Sequence, residues 1–262
     1  MARALTNEMK RCLRDIVRGE SPSAKVGTRS ALVARGLTTE QDILTEEGWA
    51  VSVGMLPLEE QCGLLNIPLE KISGLDFRGS PEPAAWRHFA SLGYVGGYCE
   101  GGVVLLLIRS AALDVLADLN TFGSRADACT RFTEAQLTIH SAHGAQIIDA
   151  ICSANATQVA KHFEEIYASP MISEWYPDLS TSAVVQVFES VGPERLAAIA
   201  AAIMEAPYTY RAGWPDLTMT NGLKMLWAEI KTTDKLQHSQ ITTLRRMRGL
   251  LTGDIRVVQL TQ

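Results

Sequence analysis

Several classes of protein are excluded by what this sequence of 262 residues lacks. Its five cysteines include no Cys-x-x-Cys pair, so a zinc ribbon or an iron–sulfur cluster is not expected. Its five histidines include no His-Glu-x-x-His motif of the zinc proteases. The apolar run over residues 103–108 is far shorter than the roughly 20 residues that span a bilayer. With no signal peptide either, the sequence predicts a cytoplasmic protein with reduced thiols and no membrane association.

Basic residues are also too few to give a positive net charge, but they are unevenly distributed. The net charge of −5 argues against a generally basic coat protein of nucleic acid. Residues 1–35 carry a net charge of +5, residues 208–262 carry +4, and the residues between them carry −14. Basic ends around an acidic middle indicate two phosphate-facing surfaces, although uneven surface charge on helices explains the pattern equally well. At 47% hydrophobic residues, the chain can form one large domain or a small and a medium one.

The most informative segment is a pair of apolar runs near the C-terminus. Asn221-Gly222 between the two runs predicts a hairpin with a two-residue turn. In that register Asp216 lies opposite Trp227. Because side chains alternate along a strand, Asp216, Glu229 and Lys231 then share one face. The two carboxylates become diagonal neighbours with Cβ atoms roughly 7–8 Å apart or closer, a gap that a divalent cation can bridge.

Phosphodiester hydrolysis uses such an arrangement. Two carboxylates hold Mg²⁺ or Mn²⁺, which are hard cations that prefer oxygen ligands. The metal polarises the phosphate and lowers the pKa of a bound water, and a lysine on the same face can orient that water. A solvated hairpin face with a common Glu-x-Lys pattern is the alternative. The combination of Pro-Asp and Glu-x-Lys in hairpin register favours the nuclease.

The residues around this hairpin resemble the PD-(D/E)XK nucleases and, among them, the VRR-NUC domain. Gly213-Trp-Pro-Asp-Leu217 resembles the family's Gly-x-Pro-Asp-Leu, and Glu229-Ile-Lys231 resembles its Glu-Val-Lys. Residues 234–240 resemble its Asp-x-Leu-Ser-x-x-Gln, and residues 255–260 fit its closing strand. This clear part of the resemblance covers residues 208–262.

A looser resemblance extends upstream over residues 86–207. Cys99-Glu100-Gly101-Gly102, followed by the apolar run 103–108, resembles the metal-binding helix of Fanconi-associated nucleases, although the aromatic residues of that helix are missing. Glu164 and Glu165, on a predicted helix, are alternatives to Glu100 as the third metal carboxylate. Such residues more often form a solvated helix face.

The resemblance implies roles for six residues. It implies that the metal ligands are Glu100, Asp216, Glu229 and the carbonyl oxygen of Ile230. It also implies that Lys231 serves the attacking water, that Gln240 supports this step, and that Asp216 and Glu229 take part in catalysis through the metal.

The N-terminal part predicts a small helical module. Thr6 and Thr45 can cap a first and a third helix, and residues 28–34 predict a second. This pattern resembles the winged-helix modules of bacterial and phage proteins, so Lys25 and Arg29 are expected to contact phosphates near the start of a recognition helix. A docking module without nucleic-acid contact is an alternative of nearly equal weight.

Helices dominate the middle of the chain, and one more follows the hairpin. Helices are predicted over residues 136–151, 157–167, 194–205 and 239–251. Strands are predicted over residues 216–220, 223–231 and 255–260. Further phosphate contacts are expected from the arginines Arg211, Arg245, Arg246 and Arg248.

These observations predict an α/β protein with a mainly helical N-terminal part. We expect a winged-helix-like module over residues 1–55, a linker over 56–84 and a VRR-NUC domain over 85–262. The core of that domain should be restriction-endonuclease-like, with a small mixed sheet flanked by helices. The expected activity is Mg²⁺- or Mn²⁺-dependent cleavage of branched, flapped or end-bearing DNA in repair, recombination or phage defence. A winged-helix regulator with an inactive nuclease core and a nuclease acting on RNA are the alternatives. DNA is the expected partner, and a homodimer is left open.

Overall fold

A computed structural model describes residues 4–121 and 123–262 of the chain. Within them a mixed sheet of five strands has the order β1-β5-β4-β3-β2 and helices on both faces. β1, β5 and β4 are parallel neighbours, whereas β3 is antiparallel to both β4 and β2. The expected mixed α/β core is confirmed. The strands are β1 (Leu69–Ser73), β2 (Val95–Tyr98), β3 (Leu217–Thr220), β4 (Met225–Lys231) and β5 (Asp254–Thr261).

Four helices precede the sheet. They are α1 (Asn7–Val17), α2 (Val26–Ala34), α3 (Glu46–Gly54) and α4 (Leu58–Leu65). The side chains of Thr6 and Thr45 cap α1 and α3 by accepting hydrogen bonds from backbone N–H groups, as predicted. Between α2 and α3, where every residue is described, strand pairing is limited to one bridge that joins Thr38 and Leu44. The winged-helix prediction is therefore not confirmed.

The segment 56–84 is not the linker that the sequence predicts, because it contains α4 and the edge strand β1. Its prolines and glycines flank these elements instead of forming an open chain. Leu58 and Leu65 of α4 are buried in a cluster that also contains residues of α3 and β5. The Gln61 side chain accepts a hydrogen bond from the Leu236 N–H at 2.8 Å and donates to the Leu236 carbonyl at 3.3 Å. That residues 1–55 and 85–262 form separate domains stays a prediction.

A layer of helices lies between β2 and β3 in the chain. The central helix of this layer, Gly102–Asp118, is largely buried, because the residues of its first three turns are almost all apolar. No helix in the described ranges is long and apolar enough to cross a membrane. The helix before β2 is α5 (Pro81–Ser91), and the layer consists of α6 (Gly102–Asp118), α7 (Arg125–Thr130), α8 (Thr133–Ile139), α9 (Gly144–Cys152), α10 (Ala156–Tyr167), α11 (Pro170–Trp175), α12 (Thr181–Val191) and α13 (Pro193–Glu205).

Two of the predicted helices differ from the structure in their limits. The predicted helix 136–151 is interrupted by a 3-10 turn at Ser141–His143, which divides it into α8 and α9. The helix after β4, α14 (His238–Met247), ends four residues before the predicted limit because Gly249 follows it closely. The predicted helices 157–167 and 194–205 correspond to α10 and α13.

The β3–β4 hairpin differs from the prediction in register but not in the faces of its side chains. Residues 221–224 form the connection, and Thr220 pairs with Met225 instead of Leu223. The Asn221 side chain closes this longer loop by accepting hydrogen bonds from the N–H groups of Leu223 and Lys224 at 3.1 Å. The register is therefore shifted by two residues. Because side chains alternate with a period of two, this shift leaves each one on its predicted face.

The packing of α4 can be tested with two adjacent leucines. We expect Leu65→Ala to lower the free energy of unfolding by about 2–4 kcal/mol, because the side chain is buried against the sheet. Leu64→Ala, at an exposed position of the same helix, should change it by less than about 1 kcal/mol. Urea unfolding followed by circular dichroism measures both. Equal effects would show that α4 is not part of the core.

Candidate active site

Three of the predicted residues meet beside β4. Asp216 directly precedes β3, and its Oδ2 accepts a hydrogen bond from the Ile230 N–H at 2.7 Å. This bond fixes Asp216 beside the strand that carries Glu229 and Lys231. Only 1% of Glu229 and 4% of Lys231 are exposed, although charged side chains are rarely buried so fully unless they are paired.

The two donors that contact Glu229 share one of its oxygens. Lys231 Nζ lies 2.9 Å from Glu229 Oε1, and the side-chain amide of Gln240 donates to the same atom. Gln240 is itself held at the start of α14 by accepting a hydrogen bond from the Gln237 N–H at 2.9 Å. Glu229 Oε2 is buried and has no hydrogen-bond partner among the described residues. A buried carboxylate oxygen without a donor is unfavourable, so this donor set fits a bound divalent cation.

Burial is the main cause that raises the pKa values of both carboxylic acids. Desolvation raises the pKa of Asp216 to about 6. Desolvation, followed by the charge of Asp216, raises the pKa of Glu229 well above its ordinary value. Burial disfavours the Lys231 ammonium, but Glu229 and Asp234 outweigh it and raise its pKa. Lys231 therefore stays charged, while the paired carboxylates favour a cation.

Glu100 lines the same open cavity as Asp216. The cavity has a volume of about 580 Å³ and is bordered by the loop before α5, the end of β2 and the end of α11. Glu100 has a left-handed backbone conformation with a φ of 43°, which is uncommon for residues other than glycine. Glu164 and Glu165 do not line this cavity, and Glu165 instead forms an ion pair with Arg125 at 2.5 Å.

The third metal ligand stays a prediction. No three His, Cys, Asp or Glu side chains within residues 4–121 and 123–262 are close enough together to hold a metal ion. Glu100 is placed at the cavity but not in a closed ligand set with Asp216 and Glu229. The role of the Ile230 carbonyl also stays a prediction.

Two glycines allow the distant segments of the site to approach each other. Gly101 has a φ of 81°, and a Cβ there would lie 2.4 Å from the ring of Trp214, two residues before Asp216. Gly213 has a φ of 78°, and a Cβ there would lie 2.2 Å from the Ser239 carbonyl oxygen at the start of α14. These contacts bring the Glu100 turn and the Gln240 helix to opposite sides of the Pro-Asp loop.

Glu82 is a cavity residue that the sequence interpretation missed. It lies in the first turn of α5 and faces the same space as Asp216, whose pKa its charge helps to raise. The segment Ser80-Pro81-Glu82-Pro83 was interpreted as part of a linker. A proline in the first turn followed by an acidic residue also indicates the start of a helix, and this pattern could have placed it.

Four of the six side chains that were predicted to contact phosphates interact with other residues of this chain. The other two, Lys25 and Arg248, are exposed. All six stay predictions as nucleic-acid contacts. The four engaged side chains are Arg29 with Asp42 at 2.5 Å, Arg211 with Glu134 at 3.7 Å, Arg245 over the Trp49 ring at 4.1 Å, and Arg246 with Glu205.

Two solved structures share this architecture. The structure of paFAN1 bound to a 2-nucleotide 5′-flap DNA with a gap matches with a TM-score of 0.57 and 16% identity, covering 97% of this chain and 48% of that one. The structure of paFAN1 bound to a 1-nucleotide 5′-flap DNA with a gap matches with a TM-score of 0.52 and 16% identity, covering 97% and 49%. The chain has the fold of paFAN1.

The resemblance to Fanconi-associated nucleases is thus confirmed at the level of the fold. The chain spans about half the length of the paFAN1 chains that it matches. No protein-family model and no curated protein matches the sequence.

The raised pKa of Asp216 predicts a pH-dependent stability in the absence of divalent metal. An unfolded aspartate has a pKa near 3.9, so the folded state with a pKa of about 6 binds the proton more tightly. Stability from this group is present below about pH 4 and is lost as the pH rises through about 6. We expect Asp216→Asn to remove this loss, a gain of about 2 kcal/mol at pH 8 relative to pH 4.5.

Thermal or urea unfolding in EDTA at the two pH values measures the effect. Asp76→Asn, at an exposed loop position, serves as the matched control and should behave like the wild type. A wild-type protein whose stability does not fall between pH 4.5 and 8 would contradict the burial argument.

Proposed function

We propose that the chain is a divalent-metal-dependent nuclease that hydrolyses phosphodiester bonds in structured DNA, such as flapped, branched or end-bearing DNA. The observation that carries the proposal is the buried Oε2 of Glu229, which lies beside Asp216 and Lys231 and has no hydrogen-bond partner within the described part of the chain. The fold shared with paFAN1, which was solved on 5′-flap DNA, supports this class of substrate.

Asp216 and Glu229 would hold the metal, and Glu100 and the Ile230 carbonyl would supply further oxygens. The all-oxygen donor set suits Mg²⁺ or Mn²⁺. When bound, such a cation polarises the phosphate and lowers the pKa of a coordinated water. Lys231 and Gln240 both contact Oε1 of Glu229, so Oε2 is the oxygen that would bind the cation.

Lys231 would act as the charged donor at the reacting phosphate. Glu229 at 2.9 Å and Asp234 at 3.2 Å fix the position of its ammonium group. Because both carboxylates favour the charged form, Lys231 can donate hydrogen bonds to a phosphate oxygen or to the attacking water without reorganisation. Gln240 is a positioning residue, because it acts by orienting Glu229 from the start of α14.

Processing of branched or flapped DNA would place the protein in repair, recombination or defence against phage. A regulator with an inactive nuclease core is disfavoured, because Asp216, Glu229 and Lys231 are all present and adjacent. Cleavage of RNA stays an alternative that the choice of substrates below decides.

The metal ligands are tested by removing one carboxylate at a time. We expect Asp216→Ala and Glu229→Ala to abolish cleavage of 5′-flap DNA in Mg²⁺ or Mn²⁺, because each removes one of the two carboxylates that would anchor the hard cation. Glu164→Gln, an exposed carboxylate outside the cavity, is the matched control and should cleave like the wild type. Labelled flap, duplex and single-stranded DNA and RNA, with and without EDTA, give the readout.

Cleavage that survives EDTA would refute the metal dependence. Preferential cleavage of RNA would assign the alternative substrate, and absence of cleavage of every nucleic acid by the wild type would refute the nuclease itself.

Lys231 is tested by separating turnover from binding. We expect Lys231→Ala to lower turnover by a factor of about 10²–10³ while DNA binding stays nearly intact, as for the loss of one transition-state donor. Lys224→Ala, on the exposed hairpin loop, is the control for a general loss of positive charge. Single-turnover kinetics and fluorescence anisotropy measure the two quantities, and a thermal melt detects a destabilised fold. Normal turnover with lost binding would show that the proposed role is wrong.

A further inference from the structure

An exposed aromatic pair borders the candidate active site. Trp175, the last residue of α11, is 49% exposed and lines the same cavity as Asp216 and Glu100. Phe132, which precedes α8, is 47% exposed and stacks on Trp175 with ring centroids 5.4 Å apart and planes at 14°. Trp175 thus presents an exposed ring to a cavity that carboxylates line, and Phe132 extends this apolar surface outside the cavity. Exposed apolar surface beside polar residues is typical of ligand-binding sites.

We propose that Trp175, supported by Phe132, is a stacking platform for an unpaired base of the DNA strand that is cleaved. This inference rests on the proposed nuclease function and names a subsite that would select unpaired nucleotides.

The geometry of the pair suits a planar ligand. Phe132 covers part of one face of the indole, and the two rings come from segments that are distant in sequence. Trp175 is itself a lining residue of the cavity. Every nucleobase has a π-face, and stacking on an aromatic side chain contributes about 1–3 kcal/mol per base without regard to sequence.

The composition of the cavity matches the two halves of a nucleotide. The lining combines carboxylates, which would bind phosphate through a cation, with the indole of Trp175, which offers an apolar plane. The volume of about 580 Å³ falls within the usual range of small-ligand sites. Arg211 is half-exposed and lies 3.7 Å from Glu134, two residues after Phe132, so a cation also flanks the platform.

The ligand must be unpaired because a base inside a duplex is already stacked on both faces. Such a base would have to leave the duplex before it could contact Trp175, at a further cost of a few kcal/mol. A flap or a single-stranded end provides the base without that cost. The platform would therefore favour structured DNA over continuous duplex.

The experiment is a thermodynamic cycle that removes the Trp175 ring and the unpaired bases separately and together, and measures the affinity for DNA each time. Four proteins are titrated with three DNAs in Ca²⁺. The proteins are the wild type, Trp175→Ala, Trp175→Phe and a control, Leu92→Ala, which changes an exposed apolar residue outside the cavity. The DNAs are a 5′-flap substrate, the same flap with abasic sites at its unpaired positions, and a continuous duplex. Anisotropy gives the affinities, and 2-aminopurine in the flap reports stacking by its quenched fluorescence.

We expect the wild type to bind the intact flap about 5- to 100-fold more tightly than the abasic flap. Trp175→Ala should lose most of this preference and the quenching, keep its affinity for duplex and keep its melting temperature. Trp175→Phe should retain much of the preference, and Leu92→Ala all of it.

Two results would overturn the inference while the proposed nuclease stands. One is a Trp175→Ala variant that discriminates between intact and abasic flaps as well as the wild type does. The other is an equal loss of affinity for flap and duplex. A wild-type protein that neither binds nor cleaves any of the DNAs would overturn both proposals.

Discussion

The tight packing of one short loop, residues 213–216, determines how the candidate site is assembled. The ring of Trp214 occupies the space beside Gly101, and Gly213 lies directly against the Ser239 carbonyl. Because protein interiors are close-packed, even one added methyl group at either glycine would push these segments apart. Glu100 and α14 therefore take up their positions relative to the Pro-Asp loop through close contacts at these two glycines, although they are distant in sequence.

The burial produced by this packing governs the chemistry of the site. In a region with little water, Glu229 and Lys231 stabilise each other, and Asp216 and Glu229 repel each other more strongly than they would at the surface. Lys231 and Gln240 satisfy one oxygen of Glu229, and no donor in residues 4–121 and 123–262 satisfies the other. A protein that only needed a stable core would gain from apolar residues here. The arrangement is better explained as a site prepared for a cation and a phosphate.

The residues of the candidate site come from two parts of the chain. The hairpin and α14 supply the carboxylate, lysine and glutamine side chains from consecutive elements. Segments from elsewhere in the chain supply the rest: the turn after β2 supplies Glu100, α11 supplies Trp175 and α5 supplies Glu82. In the proposed nuclease, the first group would carry out the reaction and the second would shape the space available to the substrate.

The sequence by itself determined the hairpin and the face that Asp216, Glu229 and Lys231 share. It did so because alternation along a strand is local and survives a register shift of two residues. Capping residues likewise fixed the starts of α1 and α3. Only the tertiary structure decided that residues 56–84 belong to the core, that Gln240 contacts Glu229, and that Glu82 and Trp175 reach the cavity. These depend on contacts between residues far apart in sequence, for which no local period or spacing exists, and such contacts are decided by the close packing of whole elements.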